Sequence, residues 1–117
     1  MKGEKMANKL KEKPMKEILY RESRLAKALG DPAKYAIVDF LIKNESANVS
    51  SIARAIHRHI ATTSYHLAQL RKLEIVRYEV HQDGVYYGLK YPKEIKAVTK
   101  ALSTFVMRTL QRIEDDV

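Results

Sequence analysis

Residues 48–76 read NVSSIARAIHRHIATTSYHLAQLRKLEIV, and this stretch decides the fold. Apolar residues fall at Ile52, Ala53 and Ile56, and again at Ile60, Thr63, Leu67 and Leu70. Each group makes one narrow stripe of helical period, so the stretch is expected to be two short helices joined by a tight turn. On the second helix the outward positions are Ala61, Thr62, Tyr65, Ala68, Gln69 and Lys72. Small, hydroxylic, amide and basic groups with almost no acid suit a face that enters a groove of DNA.

Upstream, Ile18, Leu19, Leu25, Ala26 and Leu29 form a helical stripe after Pro14, and Gly30 stops it. Asp31 then stands as an N-cap with Pro32 at the first helical position, which predicts a second helix to about Lys43. Ala36, Ile37, Val38, Phe40, Leu41 and Ile42 leave that helix little polar surface, so it is expected to be the central buried one. Asn44 to Ala47 reads as a polar connection, and Asn48 or Ser50 as the cap of the third helix. The lysine-rich residues 1–13 are expected to be a flexible basic arm.

Downstream, the period switches to alternation. Glu74 to Val80 and Val85 to Tyr91 are rich in β-branched residues and tyrosine, and His81, Gln82, Asp83 and Gly84 between them carry an Asp-Gly hairpin signal. Pro92 opens a last helix with Ile95, Val98, Leu102, Phe105, Val106, Leu110 and Ile113 at three- and four-residue steps. That helix is long for a chain of 117 residues, so part of its stripe is expected to pack on another chain. Glu114, Asp115 and Asp116 place acid at a helix C-terminus, where fraying is expected.

The whole is a mainly α chain with a small antiparallel β-hairpin, a winged helix-turn-helix (α+β). It divides into the arm 1–13 and a domain over 14–117, with the helix-turn-helix at 48–73, the wing at 74–91 and dimerisation helices at 14–30 and 92–113. A formal net charge of +8 points to an anionic partner. Cysteine is absent, which excludes disulfides, thiolate metal sites and cysteine nucleophiles. No apolar run is long enough to span a bilayer, so a cytoplasmic protein with no membrane partner is expected. Nothing resembles a nucleophile with its base, a carboxylate pair in an apolar pocket or a phosphate-cradling glycine loop, so an enzyme is not expected, nor any cofactor.

At this point the residues resemble a family. Leu29-Gly30-Asp31-Pro32, Val49-Ser50-Ser51-Ile52-Ala53, Ser64-Tyr65-His66-Leu67 with Leu70-Arg71, and Val85-Tyr86-Tyr87-Gly88-Leu89 are similar, in order and spacing, to the ArsR/SmtB regulators over roughly Leu25 to Phe105. The resemblance implies a homodimeric transcriptional repressor that binds double-stranded DNA with its fourth helix in the major groove and pairs through its first and last helices. Groove-facing positions carried over are Ile60, Ala61, Thr62, Ser64 and Tyr65, to which the outward Gln69 is added. Dimer contacts are expected at Ile18, Leu19, Leu102, Phe105, Val106 and Leu110.

This chain departs from the family at His59-Ile60-Ala61, where polar residues and a capping serine are usual, and at Glu74, where glycine is usual. Its histidines, His57, His59, His66 and His81, lie away from the last helix, so the family's metal ligands are missing and no metal is expected. Phosphate contacts are expected from Lys34, Arg54, Arg58, Arg71, Lys72 and Arg77, and wing contacts from His81, Gln82, Asp83 and Gly84. His66 reads as a semi-buried structural residue, and Tyr86 and Tyr87 as core and interface. Competing readings are an architectural or non-specific nucleic-acid-binding winged helix and a protein-interaction module.

Overall fold

The structure, a computed structural model, describes residues 2–115, with side chains from Lys16 to Asp115. Its elements are α1 (Lys2–Leu29), α2 (Pro32–Lys43), β1 (Ala47–Asn48), α3 (Val49–Ile56), α4 (Ile60–Lys72), β2 (Val76–His81), β3 (Gly84–Leu89) and α5 (Pro92–Asp115). The strands form an antiparallel sheet in the order β1-β3-β2. Helix α2 lies at the centre, as its apolar sequence demands, and buries Ala33, Ile37, Val38 and Leu41. Around it Ile52 of α3, Leu67 and Leu70 of α4, and Val76 and Leu89 of the hairpin close one hydrophobic core. Fully burying a side chain of this size contributes about 1.5–3 kcal/mol. The core therefore fixes α3, α4 and the wing against α2.

Four expectations need correction. Helix α1 starts at Lys2 rather than Pro14, so the described part of residues 1–13 continues the helix instead of forming an arm. Lysine, glutamate, alanine, methionine and leucine dominate there, all strong helix formers, against which Pro14 removes only one backbone bond. Among the described side chains of α1 the buried one is Ala28, not Ala26, while Ile18, Leu19 and Leu25 are exposed. Asp31 makes no side-chain cap bond at the start of α2. Its carboxylate instead faces Lys34 Nζ at 3.4 Å and His66 Nδ1 at 3.7 Å. Finally, part of the expected polar connection is a strand: β1 pairs Ala47 with Tyr87 and Asn48 with Tyr86.

The ends of the other elements follow from identifiable bonds. Asn48 accepts from Ser51 N at 2.9 Å and so caps α3. Both helices of the pair then stop with the same device. Arg58 N bonds Ala53 O and His57 N bonds Arg54 O after α3; Ile75 N bonds Leu70 O and Glu74 N bonds Arg71 O after α4. Such paired bonds need a left-handed residue, usually glycine. Here His57 (φ 56°) and Glu74 (φ 63°) take that conformation. In the hairpin only Gln82 and Asp83 form the turn, because His81 and Gly84 pair across it. Gly84, at φ 135°, supplies the backbone conformation that a side chain would resist. Helix α5 runs from Pro92 as expected and has no buried residue; Ile95 is partly buried against the core. Of the acidic end, Asp116 lies outside the described residues.

Candidate nucleic-acid interface

Helix α4 is two-sided. Thr63, Leu67 and Leu70 face inward and are fully buried. Thr63 can be buried because its hydroxyl donates to His59 O at 2.9 Å. On the other side Ile60, Ala61, Thr62, Ser64, Tyr65, Ala68, Arg71 and Lys72 are exposed. Ile60, grouped with the apolar stripe by periodicity, is 52% exposed and belongs with the outward residues. It opens the helix, ahead of the first turn that the core grips. No side chain caps α4, since His59 stands at that position without a cap bond. Gln69 is half-buried, and its Nε2 donates to Tyr65 Oη at 2.8 Å.

Basic side chains surround this face unevenly. Arg54, Arg58, Arg71 and Lys72 are exposed. Arg58 donates to the neighbouring His57 carbonyl at 3.3 Å, and the Arg71 guanidinium carbon lies 4.4 Å from the centre of the Tyr78 ring. Arg77 is paired with Glu79, whose other oxygen is 3.3 Å from His81 Nε2. The bond and charge of Arg77 hold the Glu79 carboxyl below its usual value, so part of the wing's positive charge is neutralised within it. Lys34 is half-buried beside Asp31 and stands apart from the open cations. At the wing tip Tyr86 donates to Asp83 Oδ2 at 2.6 Å, which holds the Asp83 carboxyl low. The turn expected to touch DNA, His81 to Gly84, thus carries one acid fixed by a phenol and one imidazole held by another acid.

His66 is semi-buried, as expected, with its ring 5.9 Å from that of Tyr65. Its Nδ1 has no hydrogen-bond partner and faces Asp31. Burial pushes the Asp31 carboxyl up, but the bond and charge of Lys34, with the charge of His66, outweigh it and hold the group low. This tie between the start of α2 and the middle of α4 was not legible in sequence. An aspartate before a proline is ordinarily a cap, and only the fold brings His66 beside it.

The pattern of bacterial regulatory proteins of the arsR family matches residues 31–78. Two cadmium resistance transcriptional regulatory proteins named CadC, from Listeria innocua serovar 6a and Lactococcus lactis subsp. lactis, are each 41% identical over 66 residues, 55% of this chain and 54% of theirs. The chain thus spans about half the length of the curated relatives it matches. Among solved structures, NolR from Sinorhizobium fredii has a TM-score of 0.71 at 23% identity, covering 79% of this chain and 90% of that one. The homodimeric winged helix-turn-helix DNA-binding domain of Mb0332 from Mycobacterium bovis, a possible ArsR-family regulator, has a TM-score of 0.71 at 21% identity, covering 80% and 89%.

The chain has the winged helix-turn-helix fold, and its residues 31–78 are similar to the arsR family. Its Glu74 occupies the left-handed position after α4 for which glycine is suited, and Lys90 meets the Glu74 carboxylate at 2.6 Å. The Gly88 of the ArsR-like wing motif has a different reason to be glycine. A Cβ there would stand 2.9 Å from the Glu45 carbonyl oxygen, so β3 passes too close to the α2–β1 connection for any side chain. Among the described residues no helix is long and apolar enough to cross a membrane.

Proposed function

We propose that this chain is a homodimeric, sequence-specific repressor of transcription that binds double-stranded DNA through α4 and responds to no metal. The observation that carries the reading is the division of α4: one face is locked into the core by Thr63, Leu67 and Leu70, and the other stands clear with Ile60, Ala61, Thr62, Ser64 and Tyr65 outward. A helix held this rigidly and presenting short polar and apolar groups can make base-edge contacts. Exposed Arg54, Arg58, Arg71 and Lys72 supply the phosphate attraction.

Pairing is supported by the apolar residues that a single chain leaves uncovered. Ile18 and Leu19 on α1, and Leu102, Phe105, Val106 and Leu110 on α5, are all exposed. Such a surface marks an interface. Two copies joined there would set their α4 helices about one DNA turn apart on a pseudo-palindromic site.

The relatives' name refers to cadmium resistance, but this chain has no cysteine to supply thiolates. Nor do the described residues gather three histidine or carboxylate donors at one place. His57 and His59 flank the turn between α3 and α4, His66 faces Asp31, and His81 faces Glu79.

Selection of bound sequences from a random duplex pool tests the reading. A two-fold symmetric enriched motif is expected, and Thr62→Ala and Tyr65→Ala should lower affinity for it more than affinity for random duplex. Cadmium or zinc added to the complex should leave binding unchanged. Equal affinity for selected and random duplexes would overturn base reading, and metal-driven release would overturn the claim of metal independence.

A further inference from the structure

Four residues on the open side of α4 carry hydrogen-bonding groups without formal charge: Thr62, Ser64, Tyr65 and Gln69. Two of them are already joined. Gln69 Nε2 donates to Tyr65 Oη at 2.8 Å across one helical turn, with Gln69 half-buried as a residue and Tyr65 61% exposed. A phenol has one proton and two oxygen lone pairs. With one lone pair engaged by the amide, the hydroxyl proton turns away from Gln69, on a side chain that is open to solvent. The neighbouring His66 ring, 5.9 Å away and tilted by 59°, bounds the tyrosine on its inner side. Tyr65 is therefore a hydrogen-bond donor fixed in place before any partner arrives, which lowers the ordering cost of binding.

From this geometry we infer that Tyr65 reads a purine at N7 and that Gln69 is the positioning residue that makes it a donor. The inference rests on the proposed groove-reading role of α4. In the major groove the acceptors are purine N7, guanine O6 and thymine O4; cytosine N4 and adenine N6 are donors. With one lone pair already engaged by Gln69, the hydroxyl meets the first set as a free donor and the second only through its one remaining lone pair. Thymine O4 lies beside the C5 methyl group, which obstructs the approach of a phenol ring, whereas N7 is common to both purines. Tyr65 would thus distinguish purine from pyrimidine at one position of each half-site. The apolar groups at Ile60 and Ala61 offer thymine methyls a different kind of contact.

The test uses the full chain and a duplex selected from a random pool, with each half-site purine replaced in turn by its 7-deaza analogue, which lacks only the N7 acceptor. At one position the wild-type chain should lose roughly threefold to tenfold in affinity, the weight of one neutral hydrogen bond. Tyr65→Phe, which keeps the ring and removes only an exposed hydroxyl, should bind the unmodified duplex more weakly by the same factor and show no further loss at that position. Gln69→Met should shrink the 7-deaza penalty there while leaving the salt dependence of binding unchanged, a result that loose packing alone would not give. Thermal unfolding of Tyr65→Phe should match wild type. A 7-deaza penalty that persists undiminished in Tyr65→Phe, or no penalty at any purine of a duplex that is nonetheless selectively bound, overturns this inference and leaves DNA reading intact. Failure of any sequence to enrich overturns both.

Discussion

Glu74 and His57 hold backbone conformations that side chains ordinarily avoid, at the ends of α4 and α3. A left-handed residue with a Cβ costs about 1–2 kcal/mol. Glu74→Gly and His57→Gly should each raise stability by about 1 kcal/mol, read as a higher denaturation midpoint. The exposed Glu74–Lys90 pair contributes too little to reverse the sign. Gly88→Ala should do the opposite, by about 1–3 kcal/mol, because the new methyl would press on the Glu45 carbonyl oxygen. Asp31 adds a pH dependence. Its carboxyl is held below the usual aspartate value of 3.8, so the folded state favours the ionised form. That stabilisation is present above the unfolded value and disappears as pH falls through the lowered folded value. Acid titration of unfolding should therefore show a loss below about pH 4, and Lys34→Met should reduce it.

Helices α2, α3 and α4 were legible because their limits are written locally: Gly30 with Asp31-Pro32, Asn48 before Val49, and apolar stripes of the right period. Strand β1 was not, since two residues have no period to detect; it exists only because Ala47 and Asn48 pass alongside Tyr87 and Tyr86. The tight helix ends were hidden for a related reason, with histidine and glutamate standing where glycine would have signalled them. Of the candidate interface, spacing places Ala61, Thr62, Tyr65, Ala68 and Lys72 of α4 outward but puts Ile60 with the buried stripe, and it does not show the inequality of the cations. Arg77 is offset by Glu79, and Lys34 by Asp31, through contacts made in the fold. Arg54→Ala and Arg71→Ala should each reduce the salt slope of DNA binding by about 0.9. Arg77→Ala should reduce it by less. A plot of log affinity against log salt for the three variants decides this.

For its length the molecule is extended. Its radius of gyration is 18.8 Å, against about 13 Å for a compact chain of this size. Helices α1 and α5 account for the difference: α5 has no buried residue, and among the described side chains of α1 only Ala28 is buried. If two copies cover these faces, folding and pairing are linked by mass action, and the thermal midpoint should rise with protein concentration. Phe105→Asp, at a position 72% exposed in one chain, should give a monomer by sedimentation and weaken binding to a two-fold site far more than to a half-site. A midpoint independent of concentration would contradict the linkage.

Asn48 adds a polar tie between two parts of the molecule that already share the core. Its side chain caps α3, while its backbone is in register with Tyr86 on the wing. Tension applied to the hairpin, for instance by a DNA strand drawing on it, would reach the first turn of α3 through this residue as well as through the core. Seen mechanically, the wing is a handle on the helix pair, and Asn48 is one pin that fastens it.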